Sequence, residues 1–466
     1  MKKLLFLWLF ISIASLHSCT CFGQSVPFAK NGTLKMLYDN RMHPQAVEYK
    51  GSVYIVWRGQ KGFPYIISYD LDSRKFSKPF MLLTGMEDKV DANKYARDHH
   101  YAPVIWVDSK GHFHVLFGCH VISGGVHLIS KKPGVMTQWQ ERPSVSDSVS
   151  YPQVHRIYGD KTLIYFRHRG HLGSWTYSVS SDSGRTWVSP ENAPVDLDAE
   201  PQNGFRADDA ASYHNTCVGK DGRTLHVAFI WMVEGHNALD EVRPFLNSRY
   251  SSILQQQMYR PPQRFNLYYI RIDLPSGKVF NYAGKELTRP INKQIADRQC
   301  LIWDTEMRVA AVPPSIYLDE NEQPYFLLAV SDETPYKCWF YFVSYQNNHW
   351  IKTAIARTAH PFNACHLLRT DNGMFKAYLI TGEGENISKE NMDSYGWGDR
   401  VEEWISDDNG KNWKLSKDIT PIKGYKYQNV KSVSRCIKGT ARDMILFYGW
   451  QDSNRDGTAF LWDDKE

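Results

Sequence analysis

The sequence predicts an all-β fold, a seven-bladed β-propeller, from three observations. Short runs of β-branched and aromatic residues recur along the chain between D-G, K-G, N-G and S-G turns, and no long segment carries the 3.6-residue period of a helix. The runs group into about seven units of roughly 40 to 70 residues, the period of blades built from four strands. Two units carry the same pattern, S-x-D-x-G-x-x-W, at residues 180–187 (SSDSGRTW) and 406–413 (SDDNGKNW).

The chain has 466 residues, a net charge of +5 and 42% hydrophobic residues, enough for a large core and unlike a disordered composition. Length alone would suggest about two or three domains. A closed ring of blades runs as one unit instead, so residues 24–466 are read as a single propeller domain. Aromatic residues reach 14%, with 15 Trp and 27 Tyr, a composition common where sugars stack on rings. The mild positive charge suits an anionic ligand, and the lack of a Lys/Arg run argues against nucleic acid.

Residues 1–23 read as an export signal: Lys2 and Lys3, an apolar run from Leu4 to Leu16, then small and polar residues. The run is too short for a transmembrane segment. Leu16-His17-Ser18-Cys19 resembles a bacterial lipoprotein box, with cleavage near Gly23-Gln24 as the competing reading. Either way the mature protein is expected outside the cytoplasm, periplasmic, at the cell surface or secreted. Cys119, Cys217, Cys300, Cys338, Cys365 and Cys436 are scattered without a C-x-x-C pair and read as small buried residues, with one or two disulfides as the alternative.

Residues 53–57 (VYIVW) and 65–69 (YIISY) form the first unit, and residues 104–117, continued by 126–129, the second. Residues 163–167 with 175–180 form the third and 225–229 with 267–270 the fourth; further units begin near Val312, His360 and Tyr427. The last unit ends at residues 459–462 with almost nothing after it, so its outer strand must come from elsewhere. Residues 33–38 (TLKMLY) are the expected donor that closes the ring. In the repeated box, Asp and Ser bond turn amides, Gly takes φ > 0 and Trp packs between sheets, so Asp182 and Asp408 are turn residues. Two long interruptions, residues 234–264 and 382–399, read as surface loops.

The stretch with the most chemistry is residues 98–120, DHHYAPVIWVDSKGHFHVLFGCH, with His99, His100, His112, His114 and His120. It reads as a hairpin around Asp108-Ser109-Lys110-Gly111, with His100 just before the first strand and His120 at the end of the second. In an antiparallel hairpin those ends are neighbours, so His100 and His120 are expected to meet in one pocket. A zinc site is not expected, because no third ligand stands at a characteristic spacing.

Other candidates are Tyr165, Arg167 and Arg169 in the third unit, Tyr213 and His214 opening the fourth, and His43 at the entrance to the first. Trp231, Trp303 and Trp397 are candidate sugar platforms. The carboxylates Asp91, Asp98, Asp208, Asp209, Asp304 and Glu306 form no evident acid/base pair, and Arg58, Arg97 and Arg308 are the only hint of an arginine triad of sialidase type.

The boxes, residues 98–103 (DHHYAP) followed by His120, and residues 151–153 (YPQ) leading to Tyr165-x-Arg167 resemble the BNR-repeat (Asp-box) seven-bladed propellers. These include ulvan lyases and enzymes that release rhamnose from rhamnosyl-α-1,4-glucuronic acid. The resemblance covers nearly the whole mature chain in texture, and its specific part lies within about residues 41–187. It implies an enzyme that releases terminal L-rhamnose linked to glucuronic acid from an acidic polysaccharide, as a lyase or as an α-L-rhamnosidase. In lyases of this type two histidines and a tyrosine act while an arginine neutralises the uronate; His100, His120 and Tyr165 match by motif and spacing. Where the arginine is expected, after Trp175, this chain has Tyr177, Ser178 and Ser180, so Arg167 or Arg169 would take its place, with Tyr213 and His214 on the same rim. The hydrolytic version places one histidine on the opposite face, and His43 matches that context.

β-Elimination suits these residue types, because neutralising the carboxylate acidifies C5–H and His or Tyr can move the proton. No cofactor is required on this reading, a structural calcium could fill the central channel, and a monomer is expected. A non-catalytic glycan-binding propeller and a sialidase-like glycosidase are the alternatives.

Overall fold

The computed structural model describes residues 24–33, 35–85, 95, 98–170, 173–199, 210–233, 264–306, 308–332, 337–382, 396–435, 443–451 and 457–464. The proposed export signal, Asp91, Arg97, Asp208, Asp209, Cys436 and nearly all of the 234–264 loop lie outside the described residues.

The described strands assemble into seven sheets, five of them hydrogen-bonded in chain order from an inner strand outward; in the other two, Ser434–Arg435 pairs in parallel with Ala46–Tyr49, and Gln24–Gly32 joins the C-terminal strand. Blade 1 runs Ala46–Tyr49, Ser52–Arg58, Pro64–Asp70 and Phe80–Met81; blade 2 runs Val104–Val107, Phe113–His120, Ser123–Ser130 and Trp139–Arg142. Blade 3 has three strands, Ser150–Ile157, Lys161–Arg167 and Trp175–Ser180; blade 4 is built on Ala210–Val218, Thr224–Val233 and Arg264–Asp273. Blades 5 and 6 start from the inner strands Ser315–Leu318 and Cys365–Arg369, and blade 7 from Lys426–Ser432.

The ring closes through Gln24–Gly32, which pairs antiparallel with Gly457–Asp463 at the outer edge of blade 7. The expected donor, residues 33–38, is therefore displaced by the preceding segment. Pro27 cannot donate to a ladder and is tolerated on this edge strand, which conceals its strand character in the sequence. The apolar residues of the expected donor, Met36 and Leu37, are fully buried instead. Residues 36–45 run through the ring interior. Leu37 O accepts from Asn429 Nδ2 at 2.8 Å, Asn40 Nδ2 donates to Cys365 O at 3.1 Å, and His43 N donates to Pro152 O at 3.2 Å, so this one segment ties blades 7, 6 and 3 together.

Both boxes adopt the expected turn. Ser180 Oγ accepts from Gly184 N at 2.9 Å while Asp182 Oδ1 accepts from Arg185 N at 3.0 Å and Thr186 N at 2.9 Å. Ser406 and Asp408 repeat these bonds to Gly410, Lys411 and Asn412. Each box also docks on the preceding blade: Trp187 lies 6.0 Å from the His127 ring, and Trp413 lies 5.3 Å from Phe342. Cys119, Cys300 and Cys365 are buried free thiols.

Candidate active site

Residues 104–120 form the expected hairpin, with register from Val104↔Leu116 to Val107↔Phe113. Asp108 shapes its turn by accepting from Lys110 N and His112 N at 3.0 and 2.9 Å, and Gly111 supplies φ 84°. At the open end, His99–Tyr101 makes a single 3-10 turn capped by Asp98, which accepts from His100 N at 3.0 Å. The cap brings His100 onto His120: the rings stack at 3.8 Å between centroids and 12° between planes. Asp98 joins them, with Oδ1 at 2.7 Å from His100 Nδ1 and Oδ2 at 2.8 Å from His120 Nδ1. Burial opposes the charge on Asp98, yet bonds from both histidines outweigh it and hold the carboxyl far below its usual range. Burial pushes His100 down to about 3.

Tyr151 packs edge-on against both imidazoles, at 5.6 Å from His100 and 6.0 Å from His120. Its backbone is unusual: φ is 58°, and the strand pairing shifts register between Ser150 and Gln153. Val121, directly after His120, has φ 56°. Left-handed backbone at a bulky and at a β-branched residue costs energy and concentrates at functional sites. Behind Tyr151 lie three buried guanidiniums. Arg41 and Arg167 sit 5.3 and 4.8 Å from the Tyr151 ring, and Arg264 sits 4.1 Å from the Tyr213 ring. Arg41 is paired with Asp39, its Nε donating at 2.8 Å. Arg167 is fully buried, and its three guanidinium nitrogens meet no well-aligned acceptor, with the Tyr213 phenol beside them. Three cations against one paired carboxylate make this end of the channel electropositive.

Of the remaining candidates, Tyr213 belongs to this cluster through its ring contacts with Arg41, Arg167 and Arg264. Tyr165 stands two residues behind Arg167 on the same strand face, fully buried. Its hydroxyl bonds His214 Nδ1 at 2.7 Å, and His214 in turn bonds Ser212 Oγ at 2.8 Å and stacks on Trp175 at 4.2 Å. Tyr165 and His214 both stack on Trp175, which in turn stacks on Tyr151 at 6.2 Å, so Trp175 and Tyr151 stand between them and the histidine pair. Arg169 is exposed, in a turn with φ 66°. Arg58 and Arg308 do not converge: Arg58 bonds Tyr95 O at 2.7 Å beside blade 1, whereas Arg308 covers Trp303 beyond blade 4. Asp98 was visible in the sequence only as an isolated acid, and Tyr151 only as part of YPQ. Arg41 and Arg264 had no local signal, because folding alone brings residue 41 to blades 3 and 4.

The signature of the BNR repeat-containing family matches residues 52–358. The chain belongs to this family. The chain is similar to an ulvan lyase of Nonlabens ulvanivorans, 26% identical over 56% of this chain and 54% of that protein, and to an ulvan lyase, PL25, of a Pseudoalteromonas species, 24% identical over 61% and 57%. The chain thus spans about half the length of the curated relatives it matches. Among solved structures, a PL25 ulvan lyase superposes with a TM-score of 0.72 at 19% identity, covering 95% of this chain and 96% of the other. The same kind of lyase bound to -[GlcA(1-4)Rha3S]- gives 0.71 at 18% identity and the same coverage. These likenesses establish the fold that the BNR repeats build.

Within this BNR propeller, His43 lies apart from the histidine pair. It lines a channel cavity of about 440 Å³ together with His155, Thr216, Ser315, His366 and Lys431. Tyr151 touches the histidine pair, and His155, on the same inner strand, touches His43 at 5.3 Å. Four residues of strand separate them, about 13 Å along the channel. His43 Nε2 lies 3.2 Å from Gln153 Oε1. Lys431 Nζ donates to Met42 O at 2.6 Å, Gln45 Oε1 at 2.8 Å and Asp39 O at 3.0 Å. Burial lowers His155 and His366 to about 4 each and Lys431 to about 7, and pushes His43 well below its ordinary value. A second cavity of about 860 Å³ shares Cys217, Val218, Ile316 and His366 with the first, so the channel continues outward between blades 4, 5 and 6 on this side.

The donor atoms of Asp98, His100 and His120 lie within 4.8 Å of one another, the only such cluster among the described residues. Their short Nδ1–carboxylate contacts bond the three to each other, which explains the cluster without a cation.

Proposed function

We propose that this chain is a polysaccharide lyase that cleaves an acidic, rhamnose- and glucuronate-containing polymer by β-elimination at the His100/His120 site. The observation that carries the reading is two stacked imidazoles, held by one carboxylate, beside a cluster of three buried guanidiniums that faces one paired carboxylate, Asp39. Relatives named as ulvan lyases and a similar fold bound to a glucuronate–rhamnose 3-sulfate repeat support the substrate class.

The positive field of Arg167, Arg41 and Arg264 favours the uronate carboxylate and stabilises negative charge developing on it once C5–H is broken. An imidazole takes the C5 proton, the electron pair forms a C4–C5 double bond, the C4–O bond breaks, and a phenol returns a proton to the leaving oxygen. Tyr151 touches the pair directly and Tyr165 stands behind it with His214 as a partner for its hydroxyl, so one of these two supplies that proton. Release of terminal rhamnose, monomeric action and export through residues 1–23 belong to the same proposal. Among the described residues, no helix is long and apolar enough to cross a membrane.

Incubation with ulvan and with rhamnosyl-glucuronate side chains tests it. New absorbance at about 235 nm with product release supports elimination, and product release without it excludes elimination. A second reading, hydrolysis at His43, is favoured by the separate channel cavity with an uncharged imidazole on its wall. In that case His43→Ala abolishes release while His120→Ala spares it.

A further inference from the structure

Asp98 meets two imidazoles through the same ring atom. Its Oδ1 and Oδ2 stand 2.7 and 2.8 Å from Nδ1 of His100 and of His120, and the rings are nearly parallel at 12°. An ionised carboxylate only accepts hydrogen bonds, so each Nδ1 must donate. In an uncharged imidazole the other nitrogen then carries a lone pair, and the parallel stack turns both Nε2 atoms to the side away from Asp98.

We infer that Asp98 is a positioning residue that sets both imidazoles in the Nδ1-protonated tautomer, so that a proton taken by either ring goes to Nε2; that this serves proton abstraction from C5 rests on the elimination reading above. The charged and titratable groups around the pair are His99, tilted against His100 at 3.9 Å; Tyr38 at 5.5 Å and Arg41, from the channel segment; Tyr151 from blade 3; and Arg58 from blade 1, whose charge acts on Asp98.

The test uses the full chain labelled with 15N-histidine. Long-range proton–nitrogen spectra are expected to show Nδ1–H signals for His100 and His120, assigned by their loss in His100→Gln and His120→Gln. In Asp98→Asn the amide oxygen still accepts but its nitrogen donates, so one imidazole converts to the Nε2–H form, whereas Asp98→Glu keeps both. On polymer, Asp98→Asn should lose roughly 10²- to 10⁴-fold in kcat, the loss expected when an imidazole is held in the wrong tautomer, with KM little changed and partial rescue in Asp98→Glu. Unaltered tautomers in Asp98→Asn overturn the inference whether or not the enzyme eliminates. A native tautomer pattern without absorbance at about 235 nm overturns the elimination reading and leaves the role of Asp98 in the tautomers standing.

Discussion

Gly184 of blade 3 lies against His127 of blade 2, so close that a Cβ at position 184 would stand 2.5 Å from His127 Cε1. Gly184 also has φ 74°. Space and backbone both exclude a side chain, so Gly184→Ala is expected to cost about 2 kcal/mol or more. A lower melting temperature without a change in strand content checks this; an unchanged melting temperature refutes the box as an inter-blade clamp.

The histidine pair and the cationic cluster should fail in different ways. On the proposed elimination, His120→Ala removes a proton-transfer group and is expected to cost roughly 10²- to 10⁴-fold in kcat. Arg167→Lys keeps a charge but loses the planar stack on Tyr151 and Tyr213, and should lower kcat/KM on uronate polymers. Initial rates at about 235 nm measure both.

Separate Tyr151→Phe and Tyr165→Phe variants decide which phenol carries the proton. Only the acting tyrosine should lose kcat by roughly 10²-fold or more, while the other variant keeps most of its rate. Equal modest losses in both would remove tyrosine from the chemistry.

Acid should destabilise the fold earlier than carboxylate titration alone would cause. Burial lowers His127 to about 3 and His155 and His366 to about 4, against 6.5 when exposed. Below 6.5 the unfolded chain therefore binds protons that the folded chain refuses, and stability falls as pH drops from about 6.5 toward 4. Asp98, held low by the two histidines, adds a further loss only below the ordinary carboxylate range. Melting temperature against pH measures the slope, and His155→Gln should make it shallower.

Lys431 fastens the channel segment. Its ammonium meets Asp39 O, Met42 O and Gln45 Oε1, all buried; Asp39 O and Gln45 Oε1 keep donors in Met42 N and Tyr38 N, so Lys431→Met strands Met42 O and should cost on the order of 2 kcal/mol. Hydrogen exchange at residues 36–45 should rise more than at the blade cores, because the segment keeps only the Asn429–Leu37 bond of the two tethers to blade 7 described above.

Local chemistry was legible in the sequence wherever neighbours in the chain are neighbours in space. Strand alternation and Gly turns disclosed the blades, the boxes disclosed their own turns, and a hairpin with histidines at its two open ends implied that His100 and His120 meet. The closing strand was misplaced by one segment because Gln24–Gly32 carries a proline and little apolar pattern, features an outer edge tolerates. Only the tertiary structure decided that residues 36–45 occupy the ring interior, that Arg41, Arg167 and Arg264 gather on the rings of Tyr151 and Tyr213, and that His43 faces a different cavity from His100. Those contacts join residues tens to hundreds of positions apart, set by ring closure and burial, and no local period in a chain records them.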